Sequence, residues 1–175
     1  MTSWEQELET DEPVLERYLR GSEGPYRGRV IDAQTKKPIK EVIVVALWYY
    51  HRWHPVHLVS TYHDALEVVT DDQGYFIIDA PQIERRAPSR TKFPEFVLFK
   101  PGYSSFRGSL ASERELVRRK QIPLLGTVEL ERIDHLSKEE QGYNLPFNPT
   151  NSHVPRAKIP RFAKALSDHE EALAR

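Results

Sequence analysis

At 175 residues the chain is long enough to bury a real core, and one domain with appended segments fits it better than two full domains. A formal charge of -1 gives no global attraction to nucleic acid or to an anionic membrane. With no cysteine, disulfides, thiolate metal sites, cysteine nucleophiles and covalently attached c-type haem are excluded.

No run approaches the ~18 apolar residues that a membrane-spanning helix needs. The start, with Glu5, Glu7, Glu9, Asp11 and Glu12, is the opposite of a secretory n-region. The expectation is a chain that stays inside, or one whose export signal precedes Met1. Charge is uneven: residues 1–20 hold six acids and two bases, and residues 84–120 hold ten bases and four acids. Solvated loop faces explain this as well as a partner does, because isolated surface charges are weak.

Three segments follow in chain order. Residues 1–25 form an acidic arm in which Trp4, Leu8, Leu15 and Leu19 share a helical stripe interrupted by Pro13. Residues 26–134 carry short β-runs. The first covers 26–32. A turn over Thr35 to Pro38 delivers a second, 39–49, whose near-continuous apolar run at 42–48 marks it as central. A third strand over 60–70 meets Asp71-Asp72-Gln73-Gly74, and 75–79 is read as its hairpin partner. Further strands are predicted at 95–100, at 103–106 after the Pro101-Gly102 turn, and at 126–133, where Val128, Leu130 and Arg132 alternate with acids. Seven strands predict an all-β sandwich of two sheets.

Between the last two strands, Ser112 and Glu115 form a helix-capping pair, and Arg114, Arg118 and Arg119 beside them read as solvated, since no aromatic residue interleaves with them. The tail, 135–175, opens on a second capping signature at Ser137 and Glu140 and runs extended over 142–160. Pro160 then starts a helix in which Phe162, Leu166, His169 and Leu173 share a face. That stripe is covered either by the sandwich or by a partner.

The most suggestive chemistry is His51, His54 and His57 with His63 close behind, four of the seven histidines. Imidazoles ligate borderline metals and haem. Yet Pro55 follows His54 at once, and a segment between two strands points neighbouring side chains apart. Two other readings stay open: loop histidines packed with Trp48, Tyr49, Tyr50 and Trp53, and an aromatic rim for a small ligand, a carbohydrate or a peptide.

The order of Gly28, Val30, Asp32, Thr35, Pro38, Thr70, Gly74, Phe76, Pro101, Gly102 and Tyr103 resembles the carboxypeptidase regulatory-like domain over about 26–134. The resemblance implies an antiparallel Greek-key sandwich of transthyretin-like, or prealbumin-like, form. The tail is more loosely similar to exported accessory proteins of anaerobic, cytochrome-rich bacteria, which implies a periplasmic or extracellular location; the cytoplasm is the alternative.

Two enzyme families share that fold. Intradiol dioxygenases use two tyrosines and a His-x-His pair, but the strand 95–99 reads Glu-Phe-Val-Leu-Phe, without histidine. Hydroxyisourate hydrolases use a first-strand histidine and a terminal Tyr-Arg-Gly-Ser, whereas this chain has Phe106-Arg107-Gly108-Ser109, followed by more than sixty residues. Nucleophile elbow, phosphate-binding loop and His-Glu-x-x-His are all missing, and His63 and Asp64 are neighbours in a strand, on opposite faces.

No catalytic residue is assigned, and the expectation is a non-enzymatic accessory or binding module without a cofactor, docking onto a larger redox or cell-surface assembly. Its contact candidates are Trp48, Tyr50, Trp53, Phe162 and Leu166. One rival reading is a metal- or haem-associated redox component using His51, His54, His57 or His63. The other is a carbohydrate or peptide binder using Trp48, Trp53 and the tyrosines.

Overall fold

The computed structural model describes residues 26–53, 58–78, 90–91, 94–108 and 127–175, with backbone alone at 50–53, 58 and 90–91. The predicted arm, His54, His57 and the Ser112–Glu115 pair lie outside the described residues. Among the described residues, the strands are β1 (Tyr26–Asp32), β2 (Ile43–Trp53), β3 (Leu58–Val69), β4 (Tyr75–Ile78), β5 (Arg90–Thr91), β6 (Glu95–Phe99), β7 (Phe106–Gly108) and β8 (Thr127–Leu130).

They form two sheets, one ordered β4-β1-β8 and the other β3-β2-β6-β7, with β5 added to β2. The pairs are antiparallel except β1 with β8, which runs parallel and departs from the all-antiparallel expectation. The two-residue β5 is a further strand beyond the seven predicted.

Between the sheets lies the first core. Val44, Ala46 and Trp48 of β2 meet Phe96 and Leu98 of β6, and Tyr26, Val30, Phe76, Ile78, Val128 and Leu130 come from the smaller sheet. The alternate β2 residues Ile43, Val45 and Leu47 join Val97 and Phe99 in a second core on the outer side of the larger sheet, where the tail lies. A strand buried on both faces has no polar side to show, which is why 42–48 reads as one apolar run. The smaller sheet behaves differently: Ile77, 54% exposed, points outward.

Three expectations are corrected. The predicted hairpin of 60–70 with 75–79 does not form, because β4 pairs with β1 and the 71–74 turn crosses between sheets. Gly74 makes the crossing, with φ of 77° and its carbonyl accepting from the Val30 N–H at 2.8 Å. The second strand begins at Ile43 rather than 39, since Glu41 takes a φ of 57°. Thr70 holds that kink: its hydroxyl donates to the Ile39 carbonyl at 2.8 Å and accepts from the Val42 N–H at 2.9 Å. The sixth predicted strand moves from 103–106 to β7 because the preceding residues pair elsewhere, Ser104 N–H with Glu131 and the Gly102 carbonyl with Ile133 N–H.

In the tail, α1 (Lys138–Tyr143) carries the expected capping box, Ser137 accepting from the Glu140 N–H and the Glu140 carboxylate from the Ser137 N–H. The stretch predicted as extended holds two 3₁₀ turns, Pro149–Ser152 and Arg156–Lys158. Then α2 (Pro160–Ala174) begins with Pro160 in its first turn. Its stripe is covered within the chain: Phe162 and Leu166 are buried, and Phe99 meets the rings of Phe162 and His169, each at 5.8 Å. Each of the two buried side chains contributes about 1.5–3 kcal/mol of transfer free energy. No described helix is long and apolar enough to cross a membrane.

Candidate functional site

A β-bulge prepares a cleft among the described residues. Trp48 on β2 pairs with Asp64 on β3, yet the next residue, Tyr49, pairs with Tyr62. His63 is therefore the extra residue, and the slip sets Tyr62 rather than His63 opposite Tyr49. Both tyrosines pack against the outer core beneath the tail.

Around them opens a cavity of about 810 Å³. Tyr49, Tyr62, Ser60 and Thr61 form one side, Glu95 and Arg107 from β6 and β7 a second, and the 3₁₀ turn with Asn151, Ser152 and His153 closes the third. His153 adopts φ of 67° and ends that turn, its N–H donating to the Thr150 carbonyl at 3.2 Å. The volume falls within the ~300–1,000 Å³ typical of small-ligand sites.

Arg107 is held on two sides. Its Nε donates to the Glu95 carboxylate, and its guanidinium lies 3.7 Å from the centre of the Phe147 ring. Burial pushes the Tyr62 hydroxyl up to about 12, with Asp64 and Tyr49 adding to the shift. Burial also raises Tyr49, Glu95 acting the same way and Arg107 against it. Both phenols stay neutral donors at ordinary pH. The Tyr62 hydroxyl is inaccessible and has no hydrogen-bond partner among the described residues.

The residues singled out from sequence fare differently. Trp48 is withdrawn as a contact residue: it is 0% exposed on the inner side of β2, its ring 6.3 Å from that of Tyr26. Phe162 and Leu166 are withdrawn too, because the outer face of the sheet already covers them. His51, Tyr50 and Trp53 lie on the end of β2, which continues past the predicted strand, but their side chains lie outside the described residues. His63 is half-buried at the bulge, and the backbone register sets His51 opposite Ser60 rather than His63. Among the described residues no three His, Cys, Asp or Glu side chains cluster as a metal site would require.

Tyr62, Glu95, Arg107 and His153 escaped the sequence reading. Nothing local marks them, since His153 lies about ninety residues from Tyr62 in the chain. Only the bulge and the fold-back of the tail bring them together.

Fold and cleft define the class: a two-sheet β-sandwich whose larger sheet is covered on its outer face by its own tail, with a polar and aromatic cleft beside that cover. No protein-family model and no curated protein matches the chain. Among solved structures, a 9R-lipoxygenase from Cyanothece PCC8801 aligns at 16% identity and a TM-score of 0.36, over 74% of this chain and 19% of that one. A likeness of that size carries no argument about fold or activity.

Proposed function

We propose that this chain is a non-enzymatic accessory module that docks onto a larger assembly and engages its ligand or partner segment in the cleft between β2, β3 and the tail. The carrying observation is the pairing of Glu95 with Arg107 beside two neutral tyrosines. The cleft's carboxylate is already occupied by a guanidinium, so it is poorly placed as a general base, while the neutral Tyr49 phenol and the small hydroxyls of Thr61 and Ser152 suit recognition. Val59, Ser60 and Thr61 on β3 are exposed, and Ser60 and Thr61 line the cleft, so a partner meets the cleft from this strand.

The sandwich itself is read as a Greek-key, transthyretin-like domain of carboxypeptidase regulatory-like type. Support comes from strand connections that cross repeatedly between the sheets, and from Gly74 and Gly102, both at positive φ in the turns where the resemblance has glycine. By the same resemblance the module works in the periplasm or outside the cell, which fractionation of native cells checks.

A photo-cross-linking residue at exposed Thr61, compared with one at Ile77 on the opposite sheet, tests the docking surface. Specific products from Thr61 alone support it. Products from Ile77 alone, equal labelling, or none from either position overturns it. Turnover abolished by Glu95→Gln would overturn the non-enzymatic part.

A further inference from the structure

Resting on the reading of this cleft as a binding site, we infer that its ligand is a neutral saccharide. Charge is the first reason. Among the described residues that line the cleft, the one carboxylate and the one guanidinium are bonded to each other, so neither is left over to select an ion of opposite sign. The guanidinium is further engaged by the Phe147 ring, which makes it a fixed donor rather than a mobile anion clamp.

Apart from the His153 imidazole, the remaining lining is hydroxyl and amide. Ser60, Thr61, Ser152 and Asn151 bring small groups that both donate and accept, and Tyr49 and Tyr62 bring rings with neutral hydroxyls. A sugar has that same character, with hydroxyls that donate and accept around an apolar ring face. Amphipathic aromatic side chains suit it because one part of the residue is apolar and another is polar. The aromatic groups are therefore the tyrosines beside the bulge, not Trp48, which is buried in the core.

The test uses the full chain on an array of neutral, sulfated and uronic-acid oligosaccharides, with calorimetry on any hit. At least one neutral oligosaccharide is expected to bind, with an affinity that changes little between low and high salt. Thr61→Ala and Asn151→Ala, both at exposed lining residues, are each expected to weaken it roughly five- to tenfold, the value of one hydrogen bond. Ile77→Ala on the opposite sheet leaves it unchanged.

Hits confined to charged sugars overturn the inference, as does neutral-sugar binding that neither cleft variant weakens. An array at background overturns it as well. If Thr61 still cross-links a partner in that case, the docking reading stands and the saccharide alone is lost; if Thr61 is also silent, both are lost.

Discussion

Glu67 on β3 accepts the backbone N–H of Phe162 at 3.0 Å through one carboxylate oxygen, and that of Arg161 at 2.8 Å through the other. The α2 helix has no cap of its own, since the residue at its N-cap is Ile159, without a side-chain hydrogen bond. A strand more than ninety residues away supplies it, and the negative charge also meets the positive end of the helix dipole. Beside it Lys158 pairs with Asp64 at 2.9 Å, a second tie between the tail and β3.

Removing that cap separates the tail from the sheet energetically. Glu67→Ala is expected to cost about 1–2 kcal/mol, read from urea unfolding, with faster amide exchange over 161–166. Glu67→Gln, which keeps one acceptor, loses less. Equal exchange in wild type and Glu67→Ala would show that the contact does not anchor α2.

The two glycines at positive φ differ in surroundings, so the same substitution separates strain from clash. A Cβ on Gly74, at φ of 77°, would lie 2.4 Å from the Val30 carbonyl oxygen, whereas one on Gly102, at φ of 86°, meets nothing within 4 Å. Gly102→Ala carries the conformational penalty alone, about 1 kcal/mol. Gly74→Ala adds displacement of β1 and is expected to cost roughly 2–4 kcal/mol. Thermal unfolding of the pair checks the order.

Asp32 links stability to acid. One carboxylate oxygen accepts from the N–H groups of Thr35 and Gln34 at 2.8 and 3.0 Å, and these bonds, that from Thr35 foremost, hold the carboxyl below its ordinary value. Because the folded value is the lower one, the contribution is fully present above the unfolded value. It is lost as pH falls below about 4 and through the folded value. Asp32→Asn keeps an acceptor for the turn but carries no such titration. Its stability should therefore fall less steeply than wild type over that acid window in denaturant titrations.

Tyr62→Phe is expected to separate stability from recognition. Deleting a hydroxyl that has no partner among the described residues leaves the free protein as stable as wild type, or more so by up to ~1 kcal/mol, while binding in the cleft, which the inaccessible hydroxyl does not reach, is unchanged. The hydroxyl titrates higher in the fold than in the unfolded chain, so wild-type stability declines as pH rises from the ordinary tyrosine range through about 12. The variant lacks that share of the decline. A marked loss of stability in the variant at neutral pH would show that Tyr62 is a packing residue whose hydroxyl is already satisfied.

Much of the architecture was legible in the residues. β1 runs over the predicted 26–32, β6 and β8 fall inside their predicted spans, and Ser137 with Glu140 caps α1 as its spacing implied. The stripe of Phe162, Leu166 and His169 was visible too, because helical periodicity is local. What the stripe would touch was not. Trp48 looked like a rim aromatic because it adjoins Tyr49 and Tyr50, and only the pairing of the sheets turned it inward.

By itself the sequence determined the positions of β1, β6, β8 and α2 and the cap of α1, that the second strand is central, and that no cysteine chemistry operates. Period-two burial, turn residues and caps act over a few positions, and the residues record them directly. The tertiary structure alone decided which face of the larger sheet the tail covers, that 71–74 crosses between sheets, and that Tyr62 displaces His63 opposite Tyr49. Those outcomes depend on register and on contacts between segments far apart in the chain, where one extra residue in one strand changes which side chain faces the cleft.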